Sequence, residues 1–263
     1  MNQLRQDQYY IHSFDVDFSS KVSLCTICNL LQESAWRHAS EHKLGYHHLI
    51  RENHAWVLSS LKVAIHELPV WQDHITLITW AKTADRLFAY RDFEIYRTGE
   101  EQPLVSATSA WLIVDIHTKR PQRMQTYSEM MPLLKDRAAL DTMHKLPSIE
   151  DVHYSSEKIS TYSDLDVNQH VNNVKYVEWI LNTFSLEFQK NYQIKTFEIN
   201  YRHEIGYNEK VDLESQKAEN TELHSFQGIR KETNTCAFRA SVLWEKPDTA
   251  DQADDSMLKV NTE

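Results

Sequence analysis

The feature that most constrains this chain is a plan stated twice: an extended segment, a helix, then four strands, followed by the same order again. In the first copy, Tyr9 to Phe18 reads as extended. Leu24, Ile27, Leu31 and Ala35 then recur at helical spacing, predicting a helix from about Ser23 to Lys43. Trp56 to Leu68, His74 to Lys82, Leu87 to Arg97 and Leu104 to Ile116 are rich in β-branched and aromatic residues and predict four strands. The second copy predicts an extended piece at His153 to Tyr162 and a helix from about Asn172 to Phe188. Its strands are expected near Lys195 to Glu204, Lys210 to Lys217, Leu223 to Lys231 and Thr235 to Trp244.

Residues repeat as well as elements. Asp17-x-Ser19-x-Lys21-Val22 leads into the first helix as Asp166-x-Asn168-x-His170-Val171 leads into the second, and each half carries a His-Glu pair, His66-Glu67 and His203-Glu204. Such a duplication suits an α+β architecture in which a helix is wrapped by an antiparallel sheet and two copies sit side by side with continuous sheets. The expected division is 1–124 for the first unit, 125–152 for a linker with a short helix around Met130 to Leu140, 153–246 for the second unit, and 247–263 for a polar, acidic tail.

Composition narrows the function. The chain has 263 residues, 41% of them hydrophobic, enough for a sizeable core. A formal net charge of -10 disfavours nonspecific nucleic-acid binding, which needs a surplus of Lys and Arg on one face. Three cysteines, Cys25, Cys28 and Cys236, cannot all pair within the chain and fit a reducing compartment. No apolar run approaches a membrane span, and the N-terminus lacks a basic head followed by an apolar stretch. A cytoplasmic location is therefore expected.

The densest polar constellation is Ser163-Asp164-Leu165-Asp166-Val167-Asn168-Gln169-His170-Val171-Asn172-Asn173, directly before an apolar helical run. Helix capping accounts for one or two of these residues. It does not require Asp166, Asn168 and His170 at alternate positions, a spacing that in an extended segment sends all three side chains to one side. A carboxylate, an amide and an imidazole beside helix N-terminal N–H groups suit polarisation of a carbonyl and proton handling. The first half offers Asp17, Ser19 and Lys21 in those slots, so one copy is equipped and the other is not.

The segment SDLDVNQHVNNVKYVEWIL, Ser163 to Leu181, closely resembles the active-site segment of plant and bacterial acyl-acyl carrier protein thioesterases. LKVAIHELPVWQDHITLITWAK, SATSAWLIVDIHTKRPQRM and INYRHEIGYNEKVDLESQ resemble further segments of that family, in its order, so the resemblance runs from about Tyr10 to Trp244. It implies a double hotdog fold and hydrolysis of fatty acyl thioesters carried on acyl carrier protein, ending fatty acid synthesis. It also implies catalytic roles for Asp166, Asn168, His170 and Glu204, the last on a later strand, and an acyl slot supplied mainly by the first half. Plant members commonly place a Cys after that Glu. Ile205 stands there in this chain, which favours direct attack by water over a thiol nucleophile.

Two other enzyme or binding functions fit the same parts: a hotdog dehydratase acting on 3-hydroxyacyl thioesters, and a non-catalytic acyl-carrier-protein or fatty-acid binding module. No cofactor or metal is expected. His38-Ala39-Ser40-Glu41-His42 has the order of one zinc-peptidase motif, and Cys25-x-x-Cys28 is half of a zinc knuckle, but neither has a complementary ligand pair. Trp56, Trp71, Trp80, Trp111, Trp179 and Trp244 are expected in the core, and His203 is excluded because adjacent strand residues face opposite ways. Lys119, Arg120 and Arg123 are a candidate basic patch for an acidic carrier protein, and the chain fits either a monomeric double hotdog or a homodimer.

Overall fold

The computed structural model describes residues 3–141 and 143–247, so most of the expected tail lies outside the described residues. The first half contains β1 (Leu4–Tyr10), α1 (Leu24–Glu41), α2 (Tyr46–Leu49), β2 (His54–Ile65), β3 (His74–Ala84), β4 (Ala89–Arg97) and β5 (Pro103–Asp115). After α3 (Gln125–Ser128), the second half contains β6 (Tyr154–Ile159), α4 (Asn173–Leu181), α5 (Leu186–Asn191), β7 (Gln193–Tyr201), β8 (Lys210–Lys217), β9 (Leu223–Arg230) and β10 (Thr235–Glu245).

All ten strands form one antiparallel sheet in the order β1-β3-β4-β5-β2-β7-β10-β9-β8-β6. The second five repeat the first five in mirrored order. The halves meet where β2 pairs with β7, with Leu61 opposite Ile199 and Val63 opposite Phe197. These four side chains are buried, so the seam is apolar as well as hydrogen-bonded.

Each half wraps its own helix. Ser23 caps α1 by accepting from Thr26 N, and Leu24, Ile27, Cys28, Leu31 and Ala35 turn one buried stripe toward the sheet. Asn172 caps α4 by accepting from Val174 N, and α4 buries Val174, Tyr176, Val177, Trp179 and Ile180. α1 and α4 share one hydrophobic core, which joins the two halves through their helices as well as their strands.

Several sequence expectations need correction. The second helix breaks after Leu181 and restarts at Leu186 under a Ser185 cap. The break turns Phe184 into an aromatic cluster with Phe188, Phe226 and Trp244. No helix spans Met130 to Leu140. Pro132 lacks the N–H a helix needs, and the segment instead lies along the sheet, where Leu134 N donates to Ala81 O and Ala139 N to Asp92 Oδ2. Trp71 is 48% exposed rather than core.

The His-Glu repeat is also out of structural register by one residue. His66 N and Glu67 N both donate to Leu104 O, as Arg202 N and His203 N both donate to Ala237 O. Glu67 therefore corresponds to His203, and Leu68 to Glu204.

Candidate active site

The Asp166–His170 segment is a tight turn rather than an extended strand. Asp166 N donates to His170 O at 2.9 Å and Gln169 N to Asp166 O at 3.0 Å, while Gln169 adopts φ 63°. Asp166 Oδ1 accepts from Asn168 N at 2.8 Å, an Asx turn that fixes the loop locally. The turn is pinned to the next element by Val171 N donating to Ile205 O at 2.8 Å. Alternate spacing thus does bring a carboxylate and an amide together, but through a turn. Asn168 Nδ2 reaches Asp166 Oδ2 at 3.4 Å, a long contact with which a substrate carbonyl can compete.

Glu204 comes from the irregular segment after β7, not from a strand, because β7 ends at Tyr201. Its Oε2 lies 3.3 Å from His170 Nε2 and 3.0 Å from Lys119 Nζ. The pinning bond from Val171 to Ile205 sits one residue beyond both partners, so the same backbone contact that closes the turn sets Glu204 beside His170. The group is solvent-accessible, with side chains of His170 and Glu204 exposed by 32% and 42%. Water can reach the pair directly.

Helix N-terminal amides are the oxyanion donors expected from the sequence, but amides at the start of α4 are already used. Asn172 N donates to Asp164 O, and Val174 N to Asn172 Oδ1. The Asn168 amide is the better-presented donor. Lys119 was not among the expected catalytic residues; no local signal links the turn after β5 to a glutamate in the other half. His203 points elsewhere, its Nδ1 2.9 Å from Cys236 O. Burial pushes the Cys25 thiol up to about 11 and the Cys28 thiol higher, so both stay protonated near neutrality and are poor nucleophiles.

The helical His38, Glu41 and His42 do converge, with ligand atoms within 4.8 Å of one another. Their surroundings suit a hydrogen-bond chain. Arg91, which can only donate, contacts His38 Nδ1 at 2.9 Å and Thr79 Oγ1 at 3.1 Å, and the two histidine Nε2 atoms are 3.2 Å apart. Burial lowers the Arg91 pKa to about 10, which leaves the guanidinium charged at neutral pH. A divalent cation at His38 would face that fixed charge across a single imidazole, whereas metal-bound histidines normally donate to a carboxylate or carbonyl.

This polar chain borders a cavity of about 90 Å³ between α1 and the first-half sheet, walled by Trp36, Trp56, Trp111, Ala39 and Met131. Gln32 also lines it, and its Oε1 accepts from Asn173 Nδ2 at 3.3 Å. The cavity in the first half is therefore linked, through one side-chain contact, to the first residue of α4 behind the His170 turn.

Two helix-wrapped antiparallel sheets joined edge to edge, with the Asn168 turn and the His170–Glu204 pair in the second of them, define an asymmetric double hotdog protein. Residues 2–130 match the acyl-ACP thioesterase N-terminal domain and residues 150–246 the acyl-ACP thioesterase C-terminal domain. The chain belongs to the acyl-ACP thioesterase family. It is 28% identical over 211 residues to a chloroplastic palmitoyl-acyl carrier protein thioesterase of Gossypium hirsutum, covering 75% of this chain and 51% of that protein. It is 26% identical over 250 residues to a chloroplastic oleoyl-acyl carrier protein thioesterase 2 of Arabidopsis thaliana, covering 88% of this chain and 68% of that protein. The chain thus spans about half the length of some curated relatives it matches.

Solved structures share the fold. An acyl-ACP thioesterase from Bacteroides thetaiotaomicron superposes with TM-score 0.83 at 22% identity, over 92% of this chain and 98% of that one. A 12:0-ACP thioesterase from Umbellularia californica gives TM-score 0.84 at 22% identity, over 94% and 99%.

Proposed function

We propose that this chain hydrolyses fatty acyl-acyl carrier protein thioesters to free fatty acid and carrier protein, ending fatty acid synthesis. The observation that carries this reading is the accessible His170–Glu204 pair, 3.3 Å apart, beside the amide-bearing Asn168 turn in a member of this family. In the proposed mechanism the thioester carbonyl accepts from Asn168 Nδ2, and water attacks. Glu204, with His170, removes the proton; the collapsing tetrahedral adduct expels the carrier thiolate, which is then protonated. Asp166 holds the turn. The first half binds the acyl chain, the second performs the chemistry, and the carrier protein docks near Arg120 and Arg123. Action in the cytoplasm, as a monomer or homodimer, belongs to the same proposal.

Purified protein is expected to release thiol from acyl carrier protein loaded with fatty acyl chains, with a dye reporting the thiol. Glu204→Gln should lower turnover by ~10²-fold, the usual scale for a positioned acid or base. Chemistry on a 3-hydroxyacyl thioester without thiol release would indicate a dehydratase, and tight carrier binding with no turnover a binding module. Either outcome replaces the hydrolase reading.

A further inference from the structure

We infer that Lys119, contributed by the first half, is a positioning residue that aims the Glu204 carboxylate, so that the hydrolytic site is completed across the seam. This rests on the hydrolase reading above. β5 and β7 flank β2 in the sheet, and the chain leaves β5 at the same end of the sheet at which it leaves β7. The turn after β5 is firmly tied. Asp115 Oδ1 accepts from Thr118 N at 2.7 Å and His117 N at 3.0 Å, Lys119 N donates to Asp115 O at 2.8 Å, and Ile116 N donates to Asn53 O at 2.9 Å. Lys119 itself adopts φ 57°, and its Nζ ends 3.0 Å from Glu204 Oε2.

That oxygen is shared with His170 Nε2 at 3.3 Å, while Glu204 Oε1 makes no hydrogen bond among the described residues. Two contacts therefore converge on one oxygen of a carboxylate that is 42% exposed, which leaves the other oxygen available to accept from a water. Without Lys119, an exposed glutamate on an irregular segment would be held by His170 alone.

Misplacing a reacting group by about 1 Å costs up to ~10²-fold. The contact from Lys119 Nζ at 3.0 Å restrains Glu204 against such displacement.

A docking role for Lys119 makes a different prediction, and two substrates separate them: acyl-acyl carrier protein and the carrier-free acyl-pantetheine thioester. Lys119→Gln is expected to lower kcat about tenfold on both, with KM within about twofold, and Lys119→Arg to restore most of it. Unchanged kcat on both substrates, or a KM rise confined to the carrier-bound one, would overturn the inference. If wild-type protein hydrolyses neither substrate, the hydrolase reading itself fails. The contact is then judged by NMR, where the His170 ring signals should move in Lys119→Gln and return in Lys119→Arg; signals indifferent to Lys119 would remove it from the site.

Discussion

Asp17 and Asp166 make the same contacts in the two halves, yet only Asp166 is followed by an amide and an imidazole. Asp17 N donates to Lys21 O at 2.9 Å, Asp17 Oδ1 accepts from Ser19 N at 2.8 Å, Ser20 takes φ 60°, and Val22 N donates to Pro69 O at 2.8 Å. Each contact has its counterpart around Asp166, Gln169 and Val171. An aspartate kept in the half that lacks His170 and Glu204 equivalents is there for the turn. Asp166→Asn retains the acceptor for Asn168 N and is expected to keep turnover within about tenfold of wild type. Asp166→Ala opens the turn, displaces His170 and should cost ~10²-fold. Steady-state kinetics of the two variants, checked for native circular dichroism, decide this; an Asn variant as impaired as Glu204→Gln would make Asp166 a charged participant. Asp17→Ala should lower stability by about 1 kcal/mol and leave kcat alone.

Among the elements, the helices and strands were legible where a single periodicity ran unbroken. α1 and the four strands that follow it lie within a few residues of the expected bounds, because Leu24, Ile27, Leu31 and Ala35 mark one face and alternating strands mark another. The helix after the site is split although its sequence predicts a continuous one, since Phe184 and Phe188 keep an apolar helical spacing that serves a different purpose. They pack with His224, whose ring lies edge-on to both, at 5.0 Å from Phe184 and 6.0 Å from Phe188. Burial first, and Lys217 second, lower the His224 pKa from its ordinary value. A folded-state pKa below the unfolded one means that the native state binds fewer protons, so this stabilisation is present above about pH 6.5 and is lost as pH falls through the folded value. The thermal midpoint should drop between pH 7 and 5 more steeply in wild type than in His224→Phe. Equal slopes would show that the ring titrates as freely in the fold as in the unfolded chain. Glu204 illustrates the limit of legibility within the site: its motif named the residue, but its placement depends on Val171 and Ile205, and Lys119 comes from a turn remote in sequence.

In the whole molecule, the proposed reactive pair His170–Glu204 lies in one half and the cavity under α1 in the other. The first-half counterparts of His170 and Glu204 are Lys21 and Leu68, a pairing with no base. The cavity instead lies under α1, and Ala39 and Ala81 are among its small wall residues. On the proposed function, an acyl tail extending away from Asn168 would pass the Gln32–Asn173 contact to reach this space, whose polar border at Arg91 and His38 would be a poor neighbour for a methyl end. Burying each methylene is worth about 0.8 kcal/mol, roughly fourfold in affinity, so small losses of depth should be visible as changed chain-length preference. Ala39→Leu and Ala81→Val are expected to shift the preferred acyl chain toward shorter lengths while turnover of the shortest substrates stays near wild type. The measurement is the ratio of kcat/KM across carrier proteins loaded with chains of graded length. Should these substitutions leave the profile flat while changes after residue 150 move it, the acyl slot lies in the second half, and the division of labour inferred from the silent first-half turn is wrong.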